Sequence, residues 1–388
     1  MITGLGAISA AGNGVAETMA SFRAGTINAG KLSLFESSLE YPVFEVKDLP
    51  PKYQMEGQRT IGLALCAVDE ALKNAGFIAQ NLGELRFGVC LGTTVASQLN
   101  DLDFYKVYRE TGKPPMEPVN RFLKGNLAEY ICNEIGVKGP SLTVVNACSS
   151  GTDAIGVALS WLNCDLCDVV IAGGADELSR IPLCGFGSLG IFSRELCTPF
   201  DRDRQGLNLG EGAGVLILER EGSMKKRGKV SDLTLLGFGA SNDAYHLTSP
   251  HPDGVGLNAA INSALSEAGI NPEDVAFINA HGTSTIENDK IEGRVLFNIF
   301  GLGLKVVSTK GFTGHTLGAA GGLEAVFTSA GLKEGWIPAS PGFRIKDEGI
   351  PLTPVEEVTS IQGRYAVSTS LGFGGNNSAI VIGKEVPK

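Results

Sequence analysis

Cysteine stops early in this chain. There are eight, none beyond Cys197, so residues 198–388 hold no thiol and no chemistry needing a second cysteine there. Histidine is scarce as well, with four residues in 388. Charged residues make up only 19% and leave a net charge of −10, which argues against nucleic acid as the main partner. No apolar run of 18 residues passes without a break, so no spanning helix is expected. The first positive residue is Arg23, so no basic segment of a secretory signal opens the chain. The cysteine spacing suggests no disulfide framework, and a reducing, cytoplasmic setting is the natural expectation.

Apolar residues and glycine are plentiful. The chain is 43% hydrophobic with 52 glycines, the profile of a compact folded enzyme with a sizeable core. The glycines cluster between apolar runs, where backbone must turn tightly or approach a ligand. An acidic partner would need a local basic patch. Candidates are Arg59, Arg121, Lys124, Arg202, Arg204 and the run Lys225, Lys226, Arg227, the last reading equally as a solvated turn.

A faint internal repeat runs through the chain. The helical pattern IGLALCAVDEALKNAG at 61–76 is echoed by LNAAINSALSEAG at 257–269. Each precedes a short apolar strand and then Gly-Thr, in LRFGVCLGTT at 85–94 and VAFINAHGTST at 275–285. The openings ITGLGAISAAGN at 2–13 and LTLLGFGASND at 233–243 match too. Two related α/β halves, 1–232 and 233–388, intertwined rather than independent, are the simplest explanation; coincidence of common helix endings is the alternative. Further strand candidates are 141–147, 168–175, 212–219, 305–310, 365–375 and 378–383, apolar and β-branched as buried strands should be. Alternation of such strands with helices predicts a layered α/β architecture.

The sharpest local feature is VVNACSSGTDAIGVALSWL. An apolar strand should end at Ala147 and a helix begin near Ser149, which puts Cys148 at the turn. Two serines and Gly151 leave room around it. Free N–H groups at a helix start lower a thiol pKa and can hold an oxyanion. A small buried cysteine packing a turn stays open from this segment alone. His281 follows the strand AFINA, and His315 lies in STKGFTGHTLGAAGG, five residues after Lys310. Strand-to-loop junctions are where catalytic residues project. Cysteine with histidine is the pairing of covalent acyl catalysis.

With these motifs in order, the chain resembles a β-ketoacyl-[acyl-carrier-protein] synthase of the elongating type. The resemblance runs from ITGLGAIS through ACSSG, PFDRDRQGLNLGEGAGVLILE, SNDAYHLTSP, NAHGTSTIENDKIE and STKGFTGHTLGAAGGLEA to SLGFGG. It implies the thiolase fold, two βαβαβ-type halves packed in five αβαβα layers. It implies a decarboxylative condensation in fatty acid biosynthesis. An acyl group rides on Cys148, and malonyl-acyl-carrier protein supplies the carbanion. His281 and His315 match the family's two active-site histidines, and Lys310 its lysine. The N–H groups of Cys148 and Phe373 would hold the oxyanion, with Phe373 also a gate. Thr283, Thr285 and Ser249 match residues along the phosphopantetheine arm, and Phe186 one lining the acyl pocket. Glu324 and Asp289 match acidic positions that support the site. No cofactor or metal is implied beyond the carrier's phosphopantetheine. The partners implied are acyl-carrier protein and a second subunit, in a homodimer or alternatively a heterodimer.

The chain departs from the common family pattern in three places. Cys148 is followed by Ser-Ser, Asn376 stands where threonine is usual, and the stretch around KPPMEPVNRFLKGNLAEY is shortened. Acyl-chain preference is therefore open, and a specialised enzyme of a polyene or polyketide pathway is the alternative. A thiolase would need a later cysteine, an initiating synthase would carry asparagine in place of His315, and an inert chain-length factor would lack the nucleophile. Other motifs point elsewhere only by their letters. Cys164 and Cys167 form a CxxC without a second pair. GFGSLG at 185–190 fits GxGxxG with no strand before it. Asn376-Asn377-Ser378 fits a glycosylation acceptor without a secretory signal.

Overall fold

The computed structural model describes residues 1–78, 82–83, 85–94, 102–123 and 126–385. Lys124 and the side chain of Arg121 lie outside the described residues.

The apolar runs form two sheets. The first holds β1 (Ile2–Ser9), the short β2 (Gly12–Asn13), β3 (Phe87–Gly92), β4 (Ser141–Val144), β5 (Val169–Asp176) and β6 (Gly212–Glu219), in the order β2-β1-β6-β5-β3-β4. The second holds β7 (Leu233–Asn242), β8 (Val275–Asn279), β9 (Lys305–Val307), β12 (Tyr365–Gly372) and β13 (Asn376–Lys384), in the order β7-β13-β12-β8-β9. A two-stranded ribbon joins β10 (Trp336–Ile337) to β11 (Thr359–Ser360). Leaving out β2, both sheets read first-fifth-fourth-second-third in chain order. The sense at each step also agrees: antiparallel β1–β6–β5 and β7–β13–β12, parallel β5–β3–β4 and β12–β8–β9. The repeat seen in the sequence is thus a repeat of topology. Every residue of β1, β3, β5 and β6 is buried, which is why these strands show no polar alternation.

Helices cover both sheets and fill the space between them. Arg59–Ala75 packs on β1 and β6, and Val255–Ala268 on β7 and β13. Their matching endings have one cause. Gly76 and Gly269 follow in the left-handed conformation, at φ 79° and 66°, and close each last turn. Ser150–Asn163 and Ala320–Glu334 lie in the middle, each touching both sheets. Residues 320–332 are buried without exception, as a helix walled in on all sides must be. The result is five layers, αβαβα.

The two middle helices meet at their beginnings. A Cβ on Gly151 would sit 2.7 Å from the Gly322 N and 2.8 Å from the Gly318 O, so only glycine lets the chains approach so closely. This contact brings the loop before the first helix, with Cys148, against the loop before the second, with His315.

Candidate active site

The turn at Cys148 is strained and heavily braced. Ala147 takes φ 50°, a left-handed value that costs a non-glycine residue free energy. The strand ends at Val144, three residues sooner than the apolar run suggests, and the helix starts at Ser150. The two serines after Cys148 do more than leave space. Ser150 Oγ donates to the Ala147 carbonyl at 2.6 Å and accepts from the Asn146 N–H at 2.8 Å. Ser149 Oγ donates to the Asn146 carbonyl at 2.9 Å and to Asp153 at 2.8 Å. Asp153 also receives the Asn146 amide at 2.6 Å and the Ser378 hydroxyl of β13. Cys148 is held where its thiol, only 5% exposed, reaches a cavity.

The expectation of a lowered thiol pKa has to be corrected. Burial pushes the Cys148 thiol up to about 12, against the opposing pulls of the Lys310 charge and the Phe373 N–H. Desolvation of a closed site outweighs the local benefit of a helix start. At neutral pH Cys148 rests as a thiol, with the Phe373 N–H directed at its sulfur.

His281 is fixed from behind. Its backbone N–H donates to Glu292 at 2.8 Å, and the Gly282 N–H donates to the other oxygen of the same carboxylate at 2.8 Å. Thr369 donates to Glu292 as well, at 2.8 Å. Lys310 Nζ lies 3.1 Å from His281 Nδ1 and donates on its other side to Glu324. His315 sits edge-on to His281, ring centres 5.3 Å apart. The His315 backbone N–H donates to the Asn208 carbonyl at 2.8 Å. Burial, then the charge of Lys310, hold both imidazoles well below the ordinary histidine range, so both are neutral at pH 7. Among the described residues His315 Nδ1 has no partner.

These groups converge on a cavity of about 380 Å³. Cys148, His281, His315, Phe186, Phe373, Thr283, Thr285 and Ser249 all line it. The Phe373 ring stacks on Phe186 at 5.2 Å. The Thr283 and Thr285 hydroxyls lie 2.8 Å apart along the wall, and Ser249 is half-buried beside Thr248 and Pro250. Lys310, Glu324 and Asp289 stand behind the wall and are buried. Asp289 accepts the Phe200 N–H at 2.7 Å and the Ser284 N–H at 3.1 Å, pinning the loop that follows His281. Sequence reasoning had no sign of Glu292 or Asn208. Asn208 takes the Cys197 N–H at 2.7 Å on its side chain while its carbonyl holds His315.

Of the basic candidates, Arg59, Arg204 and Arg227 turn inward. Arg59 pairs with the buried Glu211 and with the Val46 carbonyl. Arg204 is buried against Asp347 and the carbonyls of Asp201 and Ile286. Arg227 binds Glu219 across two oxygens and lies over Phe77. Arg202 pairs with its neighbour Asp203, Lys225 with Glu221, and Lys226 is exposed. GFGSLG begins inside the helix Arg180–Ser188, not at a strand-to-helix turn. Cys164 is exposed while Cys167 is buried. Asn376, the acceptor position of the glycosylation motif, is half-buried, and its side-chain amide donates to the Phe373 carbonyl.

Known proteins resemble this chain from end to end. Residues 44–223 match the family described as beta-ketoacyl synthase, N-terminal domain, and residues 233–344 its C-terminal domain. The chain is 33% identical to a 3-oxoacyl-[acyl-carrier-protein] synthase 2 of Staphylococcus aureus, over 99% of this chain and 98% of that one. A synthase of the same name from Synechocystis is 33% identical over 99% and 97%. Among solved structures, the ishigamide ketosynthase/chain length factor superposes with TM-score 0.93 at 31% identity, covering 99% of this chain and 98% of that one. A beta-ketoacyl synthase of Burkholderia phymatum gives 0.90 at 28%, covering 99% of both. The layers, the repeat and the end-to-end matches lead to one statement: the chain has the thiolase fold and belongs to the β-ketoacyl synthase family of condensing acyltransferases.

Proposed function

We propose that this enzyme joins malonyl units to an acyl group held on Cys148, both delivered on the phosphopantetheine arm of an acyl-carrier protein, in fatty acid biosynthesis. The observation that carries this reading is the meeting, in one cavity, of Cys148 with His281 and His315, backed by Lys310 and Glu324. In the first half-reaction Cys148 Sγ attacks the acyl carbonyl. The bond between the acyl carbon and the pantetheine sulfur breaks, and the thiol proton leaves with that sulfur. The N–H groups of Cys148 and Phe373 steady the oxyanion, each donor of this kind being worth roughly 10²–10³ in rate. Malonyl-carrier protein then loses CO₂, and the electron pair of the broken C–C bond becomes an enolate. His281 and His315, both uncharged, donate to its oxygen. The enolate carbon attacks the thioester, the bond between the acyl carbon and Cys148 Sγ breaks, and the released thiolate takes up one proton from solvent to return to the thiol.

Thr283 and Thr285 hold the arm's amides, and Ser249 lies toward its phosphate. Phe186 meets the acyl chain, and Glu324 and Asp289 support the wall. No resident metal or cofactor enters the chemistry. We take the boundary between halves as 232/233, the active unit as a homodimer and the location as cytoplasmic. Among the described residues no helix is long and apolar enough to cross a membrane.

A second reading has its own support. The similarity to a ketosynthase/chain length factor, together with Ser149 and Asn376, favours a specialised polyene or polyketide enzyme paired with another subunit. Acyl-carrier proteins loaded with chains of graded length separate the two. Transfer of saturated chains to Cys148, read by mass, supports fatty acid elongation. Absence of any Cys148 adduct, or condensation by Cys148→Ala, overturns both.

A further inference from the structure

The segment that carries Phe373 is tied down more firmly than a mobile gate requires. Gly374 and Gly375 follow Phe373 with φ 87° and 82°, conformations that glycine alone takes without strain. They are the natural hinge for moving Phe373 off Cys148. Asn376 lies just beyond them, at the start of β13, and its side chain reaches back across both glycines. Its Nδ2 donates to the Phe373 carbonyl at 3.1 Å. Its Oδ1 accepts from Asn242 Nδ2 at 2.8 Å. Asn242 is its direct cross-strand partner on β7. The same Asn242 amide donates to the Gly374 carbonyl at 2.9 Å, and its Oδ1 accepts the Ala244 N–H at 2.7 Å.

The chemistry of the pair is reciprocal. Asn376 uses its carbonyl on one side and its amide on the other. A threonine, usual in the resemblance, has a single hydroxyl on a shorter stem in place of separate carbonyl and amide arms. The bond from Asn376 to Phe373 spans the hinge, so any swing about Gly374 and Gly375 that moves the Phe373 peptide must break it. The segment after Asn242 is joined to the gate as well. The Gly374 N–H donates to the Leu247 carbonyl at 2.8 Å, and the Asp243 N–H to the Gly375 carbonyl at 2.8 Å. That segment leads directly to Thr248, Ser249 and Pro250 at the cavity.

We propose that Asn376 and Asn242 form a latch across the Gly374–Gly375 hinge that sets how readily Phe373 leaves Cys148. Both are positioning residues for acyl loading, and the inference rests on the reading of Phe373 as a gate. Closed, the latch keeps the Phe373 N–H aimed at the sulfur and its ring on Phe186. Open, it admits a long acyl chain.

The test uses the full chain and two thiol reagents, iodoacetamide and a maleimide with a long alkyl tail. Alkylation is followed by mass on the peptide containing Cys148. Asn376→Asp keeps size but loses the donor that spans the hinge, and Asn376→Ala and Asn242→Ala remove the latch outright. The expected result is a rise of about threefold to tenfold in the maleimide-to-iodoacetamide rate ratio, the effect of one net hydrogen bond. With acylated carrier protein, loading of Cys148 should speed while condensation from a preloaded enzyme slows. A ratio unchanged in Asn376→Asp, or both reagents accelerating equally, overturns the latch. If the ratio rises yet no carrier protein loads Cys148 in any variant, the latch stands and the proposed function falls.

Discussion

Lys310 Nζ stands 3.1 Å from His281 Nδ1 and donates on its other side to the Glu324 carboxylate. An ammonium has only donors, so Nδ1 must accept and the imidazole proton is forced onto Nε2. A lysine, not an acid, therefore sets the tautomer, and a neutral His281 keeps one N–H, which the proposed function gives to the developing enolate. Lys310→Met should lower decarboxylation of malonyl-carrier protein by about 10²–10³, the loss typical of one misdirected donor. Acyl loading of Cys148 should fall less. Stopped-time assays of CO₂ release and of the Cys148 adduct measure the two separately, and equal losses contradict this division.

Glu324 gives the enzyme a pH dependence near neutrality. Burial pushes its carboxyl up to about 7, with the Lys310 charge pulling the other way. Above that pH the carboxylate balances Lys310; below it the ammonium faces His281 alone. Decarboxylation should therefore rise with pH through an apparent pKa near 7. In Glu324→Gln that step should vanish from the profile. Its survival would assign the titration to another group.

The resting thiol makes a separate prediction. With Cys148 pushed up to about 12 by burial, the thiolate fraction grows tenfold per pH unit across the neutral range. Iodoacetamide labelling of the Cys148 peptide should climb log-linearly from pH 7 to about pH 10 with no plateau. A plateau near pH 7 would mean a preformed thiolate, with the helix start outweighing burial.

The residues legible in the sequence share one property: their local setting carries the signal. Cys148 and His281 each sit in a loop just past an apolar strand, His315 lies among glycines a short helix beyond one, and the chain has too few histidines for the coincidence to be cheap. What stayed hidden depends on partners far along the chain. Glu292 in IENDKIE reads as a helix-surface carboxylate, yet it is buried and holds the N–H groups of His281 and Gly282. Arg59 and Arg204 read as surface cations because Glu211 and Asp347, 152 and 143 residues away, are invisible to local pattern. The thiol pKa was misjudged for the same reason: a helix start is local, whereas burial comes from the other half of the molecule. The twin topology was legible because both halves repeat the same helix ending, fixed by Gly76 and Gly269.

The middle layer should tolerate no added methyl group. A Cβ at Gly322 would lie 2.4 Å from the Gly214 carbonyl and 2.6 Å from the Gly174 N, both backbone atoms of the first sheet. Backbone cannot move aside as a side chain can. Gly322→Ala should destabilise the fold by at least about 1–3 kcal/mol, the usual cost of overpacking. Urea unfolding read by circular dichroism should show a lower midpoint, and an unchanged midpoint would mean that the sheet and helix can separate there.

Arg59 and Glu211 test how the first sheet is tied to the chain that precedes its outer helix. The Glu211 carboxylate is fully buried, accepts Arg59 Nε at 2.8 Å, and also takes the Val46 and Leu178 N–H groups at 2.9 and 3.2 Å. Removing Arg59 leaves that charge in place with two neutral donors only. Breaking a buried pair from one side costs about 3–5 kcal/mol, because the remaining charge is uncompensated. Glu211→Gln keeps the shape and one acceptor, so the loss should be smaller. Arg59→Met should therefore be the worse single variant, and Arg59→Met with Glu211→Gln should recover part of the difference. Thermal or urea midpoints of the three variants decide it, and strict additivity of the two single effects would show that the pair does not act as a unit.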